Sequence, residues 1–209
     1  MDKLKEISET LRAGLDAKNA VREQALRLSR EAIRFCANSI RASHRSEWEE
    51  ASSLLAEARS RVQECKEILT GHQDIYFAGY TQDAQKEYGE AELVMAIFQG
   101  KDIPSPEDLG IESAPYLNAL GEAAGETRRH ILDVMRKGDL QHAEYLLTIM
   151  DDIYYTLITF DYPDAVTNGL RRTTDLVRGV SERTRSDITI TRGQAELEAT
   201  IRQAVEKLT

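Results

Sequence analysis

Apolar residues recur every three to four positions along nearly the whole chain, and little interrupts them. Leu4, Ile7, Leu11 and Leu15 open the pattern, and Trp48, Ala51, Leu55, Ala58, Val62 and Ile68 repeat it. A stripe of this period over such lengths is buried only when helices pack on helices. The breakers are sparse, with 4 prolines and 12 glycines in 209 residues, and β-branched clusters are few. An all-α fold is therefore expected. No Pro/Gly/Ser-rich linker divides the chain, so residues 1–209 are expected to form a single helical domain.

The expected helices run over about 3–44, 46–69, 75–99, 113–137, 140–158, 163–184 and 191–208. Gly79 is expected to fray the third. Gly71, Gly100 and Gly138 supply stops, and Asp139 a cap. The stretch DIPSPEDLG at 102–110 is the clearest break, although Ser105–Pro106–Glu107–Asp108 also fits one capped helical turn. Pro163 fits a first helical turn, and Thr189 and Thr191 are expected to interrupt the last long pattern. Short loops between long helices make a bundle.

Charge and cysteine content narrow the class. The net charge of -9 argues against attachment to nucleic acid through bulk charge, but not against a local basic groove. No run of about 18 apolar residues occurs, so no membrane span is expected. The start, MDKLKEISETLRAG, is amphipathic rather than a leader peptide. Cys36 and Cys65 suit a reducing, cytoplasmic setting and read as small core residues. The four histidines, His44, His72, His130 and His142, show no ligand spacing, and no phosphate-binding glycine loop is present. Tyr154, Tyr155, Phe160 and Tyr162 read as core or interface.

The third helix carries the sharpest signal. On a helical wheel, Ala84, Tyr88, Ala91, Met95 and Phe98 flank Glu87 on one side, and Val94 and Ile97 on the other. Glu90 and Asp83 fall inside the same apolar arc. Gln85, Glu92 and Gln99 take the opposite, wet side, with Lys86 at its edge. Carboxylates are seldom buried unless paired or ligated, and two that are three residues apart share a face and repel. Two readings are open: a divalent cation such as Mg²⁺ or Mn²⁺, which carboxylate oxygens suit, or interhelical pairs with arginines. On the fourth helix Glu122 and Glu126 share a face, with Asp133 near the same line. They lie opposite Leu117, Leu120, Ala124, Ile131 and Met135, as on an ordinary exposed polar face.

Two arginine patterns stand out. Lys5, Arg12, Arg27, Arg30, Arg34 and Arg41 fall on one line of the first helix, within roughly 60° of each other. Phosphate binding and a salt-bridged face are both open readings, because Glu9, Glu23 and Glu31 lie in or beside the line. Arg171, Arg178 and Arg185 recur every seven residues, close to Asp175 and Glu182. They fit interhelical pairing or contact with nucleic acid.

Three segments carry a resemblance: YTQDAQKEYGEA at 80–91, LGEAAGETRRHILD at 120–133, and DDIYYTLITFDYPDAVTNGLRRTTDLVRGVSERTRSDI at 151–188. They resemble the translin/TRAX family, on its catalytic TRAX-like side and in a prokaryotic or archaeal form. The family places catalytic acids in a Q-E-Y-x-E-A context, which here reads K-E-Y-G-E-A, so Glu87 and Glu90 match the pair. A third and a fourth family acid fall on Glu122 and Glu126. The third is aspartate in TRAX, so Glu122 keeps the charge and lengthens the arm.

The resemblance implies a bundle of about seven helices that assembles into a hollow oligomer, commonly an octamer, with the acids facing inward. It further implies a metal-dependent endoribonuclease acting on single-stranded RNA. Glu87, Glu90, Glu122 and Glu126 would be both metal ligands and catalytic residues for Mg²⁺ or Mn²⁺. Arg12, Arg27, Arg30, Arg34 and Arg41 are the candidate nucleic-acid contacts. The alternatives are a translin-like binder of single-stranded RNA or DNA that does not cut, and a purely structural helical scaffold.

Overall fold

Helix formers dominate, and the computed structural model, which describes residues 1–207, is helical nearly throughout. Nine helices occur among the described residues: α1 (Asp2–His44), α2 (Trp48–Ile68), α3 (Gln73–Tyr76), α4 (Tyr80–Gln99), α5 (Pro106–Leu109), α6 (Ser113–Arg136), α7 (Leu140–Leu157), α8 (Asp164–Thr167) and α9 (Leu170–Glu206). The expected count of about seven differs because α3, α5 and α8 are separate single turns of four residues, while the last two expected helices are one. Positive φ at Gly79 (106°) cuts α3 from α4 instead of merely fraying one helix. Asn168 and Gly169, both left-handed, cut α8 from α9. The break expected near Thr189 and Thr191 is absent. Both hydroxyls donate to the carbonyls four residues back, on Arg185 and Asp187, at 2.8 Å, and α9 runs on unbroken. The expected end at 208 lies outside the described residues.

The chain forms two compact units, Met1–Glu92 with Pro106–Tyr116, and Leu93–Ser105 with Leu117 onward. In the first, a tight turn at Arg45–Glu47, with Ser46 at φ 60°, folds α2 back on α1. The seam is made of small residues. Ala25, Ser29, Ala32, Cys36, Ser39 and Ala42 of α1, and Ala51, Ala58 and Cys65 of α2, are all buried. Small side chains let the backbones approach closely enough for Ser39 Oγ to donate to the Ala51 carbonyl at 2.9 Å. Leu28, Leu55, Leu69 and Ile75 fill the wider parts. Arg59 and Lys66 donate to the carbonyls of Asp108 and Gly110 at 3.3 and 2.9 Å, which ties down the α5 turn.

In the second unit, Ala143, Leu146, Leu147, Met150, Ile153 and Leu157 form the buried stripe of α7. Leu170, Val177, Ser181, Thr184 and Ile188 form that of α9. The arginine series of α9 mostly pairs within the fold. Arg185 meets Asp151 at 2.6 Å and Arg192 meets Glu144 at 2.8 Å. Arg171 meets Asp161 at 3.1 Å, and Arg178 meets Asp175 at 3.6 Å. No described helix is long and apolar enough to cross a membrane.

Candidate metal centre

α4 is buried on nearly every side through its middle. Ala84, Gln85, Tyr88 and Ala91 are at most 2% exposed, and Leu93, Val94 and Ile97 are equally closed. A helix in that position has no wet face to give its acids. Glu90 is accordingly buried and Glu87 half-buried, whereas Asp83 turns out to be exposed. Glu92 is half-buried and accepts a hydrogen bond from the Tyr88 hydroxyl at 2.8 Å.

Gln85 corrects the wheel. Its expected wet position is fully buried, and its amide is used at both ends. Nε2 donates to the Tyr76 hydroxyl at 3.1 Å, and Oε1 accepts from the Glu112 backbone N–H at 2.9 Å. The Tyr76 hydroxyl in turn donates to the Glu112 carboxylate. Tyr76 and Glu112 are far from Gln85 in sequence, so no local pattern announces this network. Lys86 is likewise half-buried, and its ammonium lies 3.4 Å from Glu87 Oε1.

On α6, Glu122 is half-buried between the buried Gly121 and Ala123, not on an open polar face. Gly121 explains how the helix sits there. A Cβ at this position would lie 2.2 Å from Thr173 Cγ2, so only glycine permits so close an approach to α9. Asn118 secures the same contact, donating to the Thr167 carbonyl and accepting from Thr173 Oγ1, both at 2.8 Å. Glu126 is half-buried and pairs with Arg129 at 3.7 Å, and Asp133 pairs with Arg136 at 2.9 Å.

A carboxylate oxygen of Glu87 and one of Glu90 lie within 4.8 Å of each other on one face of α4. Such a group can hold a metal ion. Its donors are all hard oxygens, which suit Mg²⁺ or Mn²⁺ rather than a soft-ligand metal. Oxygens on opposite sides of such an ion stand roughly 4 Å apart, so a small rotation of flexible glutamate arms closes the set. The buried Cys36 thiol is pushed well up from its usual range, first by burial and then by Glu87, Glu90 and Glu92. It stays a neutral packing group beside these acids.

The basic line of α1 stands apart. Arg12, Arg27, Arg30, Arg34 and Arg41 are all exposed, on the side of α1 opposite its buried stripe. Two of the three acids near them in sequence are engaged elsewhere: Glu31 with Arg61 at 3.0 Å, and Glu23 with Arg22 at 2.6 Å. Arg41 donates to Asn38. His130 stacks on Phe98 with ring centroids 4.0 Å apart, and His142 meets it edge-on at 6.2 Å.

No protein-family model matches the chain. It is 37% identical over 174 residues to a protein of Methanocaldococcus jannaschii known as "Uncharacterized protein MJ0175", covering 82% of this chain and 76% of that one. The crystal structure of AfC3PO superimposes with a TM-score of 0.82 at 33% identity, over 89% of this chain and 97% of that one. The chain belongs to the translin/TRAX family. AfC3PO in complex with duplex RNA gives a TM-score of 0.77 at 32% identity, over 89% and 96% of the two chains. A third structure, apo-NeC3PO, shares the translin/TRAX fold at 20% identity, with a TM-score of 0.80 over 88% and 96%.

Proposed function

We propose that the chain is a metal-dependent endoribonuclease that hydrolyses phosphodiester bonds of single-stranded RNA. The carrying observation is the pair Glu87 and Glu90, with carboxylate oxygens within 4.8 Å of each other on one face of α4, in a translin/TRAX-family chain. Glu87, Glu90 and Glu122 would hold Mg²⁺ or Mn²⁺, which would polarise the scissile phosphate and acidify an attacking water. Glu126, one turn beyond Glu122, orients the water or a ligand through a hydrogen bond. The exposed arginines Arg12, Arg27, Arg30, Arg34 and Arg41 grip the RNA backbone without reading bases. AfC3PO has been solved with duplex RNA, which supports an RNA ligand.

The same reading takes the active form to be a hollow homo-oligomer, expected to be an octamer, in the cytoplasm. Two exposed apolar stripes support self-association. Leu4, Ile7, Leu11 and Leu15 continue the line of the buried face of α1 toward its N-terminal end, each 45% exposed or more. Ile190, Leu197, Ile201 and Val205 form a second stripe on α9, each 55% exposed or more, about 140° round from that helix's buried face. The buried free thiols suit a reducing compartment.

A second reading, an RNA or DNA binder that does not cut, draws support from the ion pairs Lys86–Glu87 and Arg129–Glu126, which already offset two of the four acids. Labelled single-stranded and duplex RNA, incubated with and without Mn²⁺, separate the two. Glu87→Gln and Glu90→Gln are each expected to lower cleavage more than about 100-fold and to leave binding intact, and Glu126→Gln to lower it by about 10–100-fold. Equal residual cleavage by wild type and both variants, with binding retained, would establish the binder instead.

A further inference from the structure

We propose that Lys86 is the resident counter-ion of the Glu87–Glu90 pair, occupying by charge the place a divalent cation takes when it binds. The inference rests on the metal-site reading above and concerns how the site is kept before loading.

Neighbouring side chains on a helix diverge by about 100°, so residues i and i+1 do not normally face each other. Lys86 and Glu87 nevertheless meet at 3.4 Å, with the two side chains 21% and 27% exposed. The lysine arm therefore turns back along the helix surface toward the carboxylate instead of running out to water. Its surroundings give the reason. Gln85, Tyr88 and Ala91 have no exposure, and Glu90 has only 8%. Two carboxylates with oxygens within 4.8 Å of each other beside so closed a helix face repel, and a nearby ammonium offsets part of that repulsion.

Lysine suits a provisional role. Its ammonium is a point charge on a flexible four-carbon stem, without the planar fork that locks arginine onto a carboxylate. It can withdraw when a doubly charged ion arrives and compensates the same oxygens more fully. Ammonium and metal then compete, and part of the metal's binding free energy goes into displacing the lysine from Glu87.

The test is calorimetric titration of the full-length, metal-free protein with Mn²⁺ alone, with melting temperatures measured alongside. Lys86→Gln is expected to bind Mn²⁺ about 5- to 10-fold more tightly, as removal of a competing charge at this separation requires. Its metal-free form should melt below wild type, and saturation with Mn²⁺ should raise its melting temperature more than that of wild type. Lys86→Arg should bind Mn²⁺ no more tightly than wild type. An affinity of Lys86→Gln equal to or weaker than wild type overturns the proposal.

Glu87→Gln tells the two failures apart. If it keeps wild-type Mn²⁺ affinity, the metal-site reading falls and the lysine's role falls with it. If it loses Mn²⁺ while Lys86→Gln binds as wild type, the site stands and only the lysine is wrong. Should Lys86→Gln not fold alone, Lys86→Met, which keeps the length of the arm, replaces it. If neither folds without metal, folding restored by Mn²⁺ supports the proposal, and failure to restore it counts against.

Discussion

Gly121 and Thr173 set the tightest contact beside the candidate site. Gly121→Ala would place a methyl 2.2 Å from Thr173 Cγ2, on a β-branched side chain already held by its hydrogen bond to Asn118. A loss of about 1–3 kcal/mol in urea unfolding is expected. Adding Thr173→Ser removes the offending methyl, keeps the hydroxyl and should restore most of the loss; a purely additive double variant would refute the contact. Cys36 gives a pH dependence. Its folded pKa lies above the unfolded value of about 8.5, so as pH rises the unfolded chain releases its proton first. Stability should be level in this respect below pH ~8.5 and fall above it. Cys36→Ala should flatten part of that fall in unfolding curves at pH 7 and 9.5, the remainder coming from Cys65 and the buried tyrosines, which are raised too. Sequence gave these residues uneven notice. A glutamate amid apolar neighbours is visible on a wheel, so Glu87 and Glu90 stood out. Gln85 and Lys86 did not, because a wheel assigns one wet side and α4 has none through its middle.

At the scale of elements, the period of apolar residues located α1, α2, α6 and α7 to within two residues, because each must bury a stripe, but it began α4 five residues early and split α9 in two. It failed where backbone conformation decides. The left-handed Asn168–Gly169 pair cut off α8, and Thr189 and Thr191 satisfied the α9 carbonyls instead of breaking the helix. The arginine line of α1 is an element-scale device, and its neighbours Glu23 and Glu31 are engaged elsewhere. Removing three of its charges, Arg27, Arg30 and Arg34, to alanine should weaken RNA binding and reduce the slope of log affinity against log salt by up to about 2 for a single strand. An unchanged slope would remove α1 from the binding surface. Pairs such as Arg185–Asp151, partly open to water, are worth at most about 1 kcal/mol each and serve mainly to fix register.

For the whole molecule, the decisive question is whether the exposed stripes find partners. Leu4→Asp with Leu11→Asp should shift the mass seen by light scattering toward smaller species while α1 remains helical by circular dichroism. An unchanged mass would show that the α1 stripe is not an interface. The overall class was legible because nothing in the chain competes with helix. Glu122 joined the candidate acids only through the family resemblance, because local pattern reads its side of α6 as an exposed polar face, and the glycine contact between residues 121 and 173 that seats α6 on α9 has no local signature.

The seam between α1 and α2 carries a consequence for how such a chain can drift. Most of its positions are filled by alanine, serine and cysteine, so what these share is volume and not polarity. Exchanges among those three types should pass nearly unnoticed at Ala32, Cys36 or Ala58. A single valine or leucine at the same places would wedge the hairpin open along its length. Over many substitutions these positions would look variable in chemistry and invariant in size, so a comparison scored by hydrophobicity would miss the constraint.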